Sequence, residues 1–240
     1  MFLDREREVY MYILLLSTVL CTLFLFFICN KKTTATQEIH DNYVSKTLKE
    51  IGNNEKLAKE LLKYIGNTTT TVETNQDKKI KASFYDSNTD KITIKNTEDL
   101  EECSRLIHIS HECIHSIQDK KILKLHFLLS NIQILYFLGI FIYFFYNKNL
   151  ELRMNLLLVQ LFIFVLTFFV KIVLESDATY RSTVLAFNFL ESKLKSNEIA
   201  SFKKDVEEKL YPIIPLSYFS LYLQGATLLL IAQAGAIFIS

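Results

Sequence analysis

Apolar and polar positions are segregated into blocks along this chain. Four apolar runs stand out: "VYMYILLLSTVLCTLFLFFIC" from Val9, "LHFLLSNIQILYFLGIFIYFFY" from Leu125, "LRMNLLLVQLFIFVLTFFVKIVL" from Leu152, and "PLSYFSLYLQGATLLLIAQAGAIFI" from Pro215. Each supplies the roughly 20 residues that a helix needs to cross a hydrocarbon core. The pattern predicts a mainly α, integral membrane fold with about four transmembrane helices. Residues 1–29 form an N-terminal tail and the first span, 125–174 the second and third, and 213–240 the fourth. Residues 30–124 and 175–212 are the polar parts.

Within 30–124 the periodicity is local and readable. "QEIHDNYVSKTLKEI", stopped by "GNN", and "EKLAKELLKYI", stopped by Gly66, carry apolar residues at helical spacing and end where a glycine can cap. "NTTTTVETNQD" reads as a linker. "IKASFYD" and "KITIKN" alternate around "SNTD" and predict a β-hairpin over 80–95. A helix over 97–120 follows, with Asn96 as N-cap, Asp99 three residues on and lysines closing it. The result is a small α+β region of helices plus a β-hairpin, too short to bury much core unless it leans on the membrane helices. The segment from Glu175 is charged and amphipathic, and reads as helical.

Half of the residues are hydrophobic and tryptophan is absent; the net charge of +1 adds nothing about partners, and no nucleic-acid partner is expected. The leader "MFLDREREVY" mixes acids with bases, and no small-x-small site precedes "NKKTT"; the first run is therefore read as a retained anchor. Lys31, Lys32, Lys120, Lys121, Lys124, Lys203, Lys204 and Lys209 flank spans on one side, against Arg5, Arg7, Lys148 and Arg153 on the other. That imbalance places a multi-pass protein in the cell membrane with its polar region in the cytosol. Asn67-Thr68-Thr69 matches a glycosylation acceptor but falls on the cytosolic side. Cys103 and Cys113 are too far apart on one helix for a disulfide.

On a helix, Glu101, Ser104, His108, His111, Glu112, His115 and Asp119 share an arc roughly 100° wide, while Leu106, Cys113 and Ile117 point away. Within that arc "HECIH" is His-Glu-x-x-His. The spacing sets His111 and His115 one turn apart, able to reach one zinc ion, with Glu112 beside them as general base. A solvated polar face is the plain alternative, and a third ligand decides between the two. Two spans separate His115 from Glu175, so the chain returns Glu175 to the same surface. His108 is read as an exposed neighbour; His40 and His126 are read as surface and interfacial residues.

"YDSNTDKITI", "HECIHSIQ" and "ESDATYRS", in that order, resemble the bacterial membrane zinc peptidases of the YugP type, over roughly residues 80 to 190. The resemblance implies one zinc per chain held by His111, His115 and Glu175, with Glu112 as general base. Gln118, Asp177 and Arg181 match positions that recur in that family's motifs. Helical spacing puts Thr179 one turn from Glu175, able to orient it, and turns Asp177 elsewhere. The chain departs from the family in Ile114 and Ser116, where glycine and alanine are usual, and in lacking a proline before the glutamate. The expected ligand is a peptide or protein substrate, unfolded or close to the bilayer. The expected activity is that of a membrane-embedded metalloendopeptidase; an inactive membrane scaffold or binding protein retaining the motif is the alternative.

Overall fold

The structure, a computed structural model, describes residues 41–75, 83–95, 104–147 and 149–210, with seven further positions between Ile13 and Ile28. The expected fourth span, and the proposed N-cap Asn96 with Asp99 and Glu101, lie outside the described residues, as do His40 and Cys103. The chain divides into two compact units, residues 1–31, 125–172 and 216–240, and residues 32–124 and 173–215.

The second unit begins with α1 (Asn42–Ile51) and α2 (Asn54–Tyr64). Asp41 caps α1 by accepting the N–H groups of Tyr43 and Val44 at 3.0 and 3.1 Å. Gly52, at φ 97°, ends it. Asn53 caps α2 through the Lys56 N–H at 2.9 Å. Its C-terminus closes with Asn67 N–H on Leu62 O at 2.9 Å and Gly66 N–H on Lys63 O at 3.1 Å, a Schellman pair around Gly66 at φ 72°.

The presumed linker after α2 is in fact partly a strand. β1 (Thr71–Asn75) runs parallel to β3 (Lys91–Lys95), and β2 (Phe84–Asp86) pairs antiparallel with β3, so the sheet order is β1-β3-β2. The hairpin expected over 80–95 is the β2–β3 pair. Asp86 turns the loop by accepting from Asn88 N–H at 2.9 Å and the Thr89 hydroxyl at 2.8 Å.

The motif helix α3 (Ser104–Ile117) stops before Asp119, which caps the next helix through the Lys121 N–H at 2.8 Å. The lysines read as closing the motif helix therefore open α4 (Lys120–Tyr146). From Leu150 a single helix, α5, continues to Glu191, so the third expected span and the segment carrying Glu175 are one element. α6 (Ser196–Asp205) and a π-helical turn, Val206–Leu210, follow.

The core of this unit draws on both of its chain segments. Val44, Leu48, Leu57, Leu61, Ile92 and Leu106 pack with Phe189, Leu190, Ile199 and Phe202. Residues after Val173, carried on the same helix as the third expected span and on α6, complete this core. Lys193 pairs with Glu60 at 3.0 Å, and the Tyr64 hydroxyl donates to Asn188 O at 3.3 Å, tying α2 to the end of α5.

The first unit contains most of α4 and the beginning of α5, joined at residues 147–149. Buried Arg153 closes the joint by donating to the carbonyls of Phe144 and Asn147 and lying over the Phe144 ring. The Tyr136 hydroxyl donates to Leu156 O at 3.0 Å across the pair. Among the described residues, two helices are long and apolar enough to cross a membrane, Lys120–Tyr146 and Asn155–Glu191. Only 11% of the most apolar window of each is covered, leaving Leu135, Phe162 and Phe169 exposed.

Candidate metal centre

α3 is packed on more than one side, which fixes its rotation. Leu106, Ile109, Cys113 and Ile114 enter the core, and Ser110 and Ser116 are buried as well. Ile114, one of the departures from the family pattern, thus lies in the core. Ile117, expected on the apolar face, is instead exposed. Ser116 donates to Cys113 O at 2.6 Å and receives the Asn67 amide at 2.8 Å. Asn67, the formal glycosylation acceptor, is occupied holding the motif helix.

This rotation presents His111 and His115 side by side. Their Nε2 atoms are 3.0 Å apart and their rings meet edge to face. Glu175, on α5, brings Oε2 to 3.2 Å from His111 Nε2 and 3.8 Å from His115 Nε2. All three side chains are largely withdrawn from solvent, at 15%, 12% and 20% exposure. Together they form a group able to hold a metal ion. Metal–ligand bonds of about 2.0–2.2 Å in a tetrahedral site put ligand atoms about 3.3 Å apart, and the observed separations bracket that value. The donor set of two imidazoles and one carboxylate suits a transition metal or zinc better than calcium or magnesium, which prefer all-oxygen cages.

The electrostatics favour a cation at this point. Burial opposes charge on His115, but the Glu175 carboxylate, Glu112 and the hydrogen bond to Gln118 together raise its pKa above the ordinary imidazole value. Burial likewise pushes the Glu112 carboxyl above the usual carboxylate range and Glu175 adds to this, against the two imidazoles and the backbone donor that lower it. A raised carboxyl pKa suits a general base.

Glu112 has a partner with no mark in its own motif: Oε2 accepts the backbone N–H of Tyr85, on β2, at 2.8 Å. The Tyr85 hydroxyl donates in turn to Asp90 at 2.9 Å, which anchors the hairpin. The remaining expected residues divide. His108 is exposed and outside the group. Thr179 is buried, and its carbonyl receives the hydroxyls of Ser182 and Thr183. Asp177, expected to point elsewhere, joins the site indirectly: Gln118 donates to Asp177 Oδ2 at 2.8 Å and meets His115 Nδ1 at 2.7 Å. Arg181 pairs with Asp177 at 3.3 Å.

No protein-family model, curated protein or solved structure matches this chain at a significant level. The family resemblance therefore rests on its three short motifs.

Proposed function

We propose that this chain is a membrane-embedded, zinc-dependent metalloendopeptidase of the YugP type, cutting peptide bonds at the cytosolic membrane surface. The observation that carries the reading is the convergence of His111 Nε2, His115 Nε2 and Glu175 Oε2, with Glu112 adjacent in sequence to His111. Zinc bound by these three residues would polarise a peptide carbonyl and lower the pKa of water at the site.

Glu112 then acts as the proton carrier, accepting a proton from water and passing it to the leaving amine. The Tyr85 N–H holds one of its oxygens and leaves the other for that transfer. The membrane setting is supported by the bare apolar faces of α4 and α5. Contiguous apolar surface of that extent suits lipid rather than water. The apolar runs from Val9 and Pro215 complete four spans, and the lysine-rich flanks favour a cytosolic site.

The test is metal analysis of the purified full chain beside proteolysis of an unfolded protein, comparing wild type with Glu112→Gln and Glu175→Ala. The expected result is about one zinc per wild-type chain, retained in Glu112→Gln without cleavage and weakened or lost in Glu175→Ala. Zinc binding without cleavage by wild type would favour a non-catalytic binding protein; a zinc-free wild type would overturn the metal reading altogether.

A further inference from the structure

Gln118 sits where it decides which nitrogen of His115 carries a hydrogen. Its Nε2 donates to Leu174 O and to Asp177 Oδ2, both at 2.8 Å. A carbonyl and a carboxylate only accept, so the amide has one satisfactory orientation, with nitrogen toward α5 and oxygen toward His115. Turned over, its oxygen would face two acceptors.

That orientation propagates to the imidazole. Gln118 Oε1 lies 2.7 Å from His115 Nδ1, and an amide oxygen cannot donate, so Nδ1 must carry the hydrogen. In the neutral ring the lone pair is then on Nε2, the atom that faces His111 and Glu175. Gln118 is buried, lies three positions after His115, and links the His115 ring to the carbonyl one position before Glu175. It therefore ties the two helices together beside a residue from each side of the site. Arg181 donates to the same Asp177 Oδ2 at 3.3 Å.

We infer that Gln118, oriented by the Leu174 carbonyl and Asp177, is a positioning residue that selects the Nδ1–H tautomer of His115 and aims its Nε2 at the metal. The inference rests on the metal reading above and deepens it. Partners one bond removed from a metal commonly contribute in this way, by fixing ligand orientation.

The test measures zinc affinity of the detergent-solubilised full chain by competition with a chromophoric chelator, for wild type, Gln118→Leu, Asp177→Leu and Asp177→Asn. Gln118→Leu is expected to bind zinc roughly 10- to 100-fold more weakly. Asp177→Leu shifts affinity the same way by a smaller factor, while Asp177→Asn, which still offers an oxygen to Gln118, stays close to wild type. At saturating cobalt the visible absorption band of Gln118→Leu is displaced from that of wild type, a change that general loosening of the fold would not produce.

Wild-type affinity in Gln118→Leu, or equal weakening in Asp177→Asn and Asp177→Leu, overturns the inference. Should Gln118→Leu fail to fold, the exposed Asp177 pair decides alone, and wild-type affinity in Asp177→Leu then sinks it. A wild type that binds no zinc fails at the earlier step and removes the metal reading and this inference together.

Discussion

Glu112 and Glu175 are neighbouring carboxylates with different partners, and they are expected to fail differently. Glu175 meets two imidazoles, whereas Glu112 receives a backbone N–H from β2. Glu112→Gln keeps the size of the side chain and an oxygen for Tyr85 N–H, so folding and metal binding should persist. The proposed peptidase activity should fall by about 10²–10⁴-fold, the usual contribution of a positioned general base, in a rate measurement on an unfolded substrate. Normal cleavage by that variant would remove Glu112 from the chemistry. Glu175→Ala removes a proposed ligand instead, and its loss of zinc affinity should exceed the roughly 100-fold ceiling typical of residues that merely orient a ligand. The pairing of His111 with His115 was legible because helix periodicity is local, one turn within a single motif. The Tyr85 contact was not, since a backbone donor 27 residues away leaves no trace in side-chain identity. Asp177 was judged against Glu175 on its own helix, but besides Arg181 its carboxylate receives the amide of Gln118, from the turn after α3.

At the scale of elements, two helix stops were readable, because a glycine of positive φ is a local signal: Gly52 and Gly66 lie where α1 and α2 end, whereas Asp41, which caps α1, falls inside the segment read as helical. At Gly66 an added Cβ would meet nothing within 4 Å, so only the positive φ opposes a side chain there. Gly66→Ala should thus destabilise the unit by about 1–2 kcal/mol, measured by denaturant unfolding, with no loss of packing. An unchanged midpoint would show that the α2 terminus relaxes freely. β1 was hidden because a run of threonines between asparagines looks like a linker; its strand character comes from pairing with β3, a non-local event. Asp90 is what joins these pieces: its carboxylate receives the hydroxyls of Thr69, Thr70 and Tyr85 and the Lys120 ammonium. Burial raises its pKa, but those donors outweigh burial and hold it below the ordinary aspartate value. A lowered folded-state pKa stabilises above the unfolded value of about 4 and is lost as pH falls through the folded value. Acid unfolding of wild type should therefore steepen below about pH 4, and Asp90→Asn should flatten that dependence. Parallel stability–pH curves for the two would contradict the assignment.

At the scale of the whole chain, the core of the second unit is assembled from two chain segments that flank α4 and the beginning of α5. Leu48, Leu57 and Leu106 come before those helices, and Leu190, Ile199 and Phe202 come after. Apolar block length made the two long helices legible, but their continuation was not: nothing in the sequence interrupts α5 between its apolar half and the half that carries Glu175, because helix propensity is the same on either side of that change in surroundings. A shared core has a consequence for topology. In a membrane, segments packed together must lie on one side of the bilayer, so four proposed spans require the chain between these segments to cross an even number of times. Asn88, in the hairpin loop, and Lys195, after α5, are both exposed, and each represents one segment. In the proposed membrane setting, Asn88→Cys and Lys195→Cys should react alike with a membrane-impermeant maleimide, both protected in intact cells and both labelled once the membrane is opened. Protection of one with labelling of the other in intact cells would mean that the two segments cannot share a core, and Glu175 could not then reach His111 and His115. Labelling of both in intact cells would preserve the core and the site and reverse only the orientation, moving the proposed active site to the outer surface.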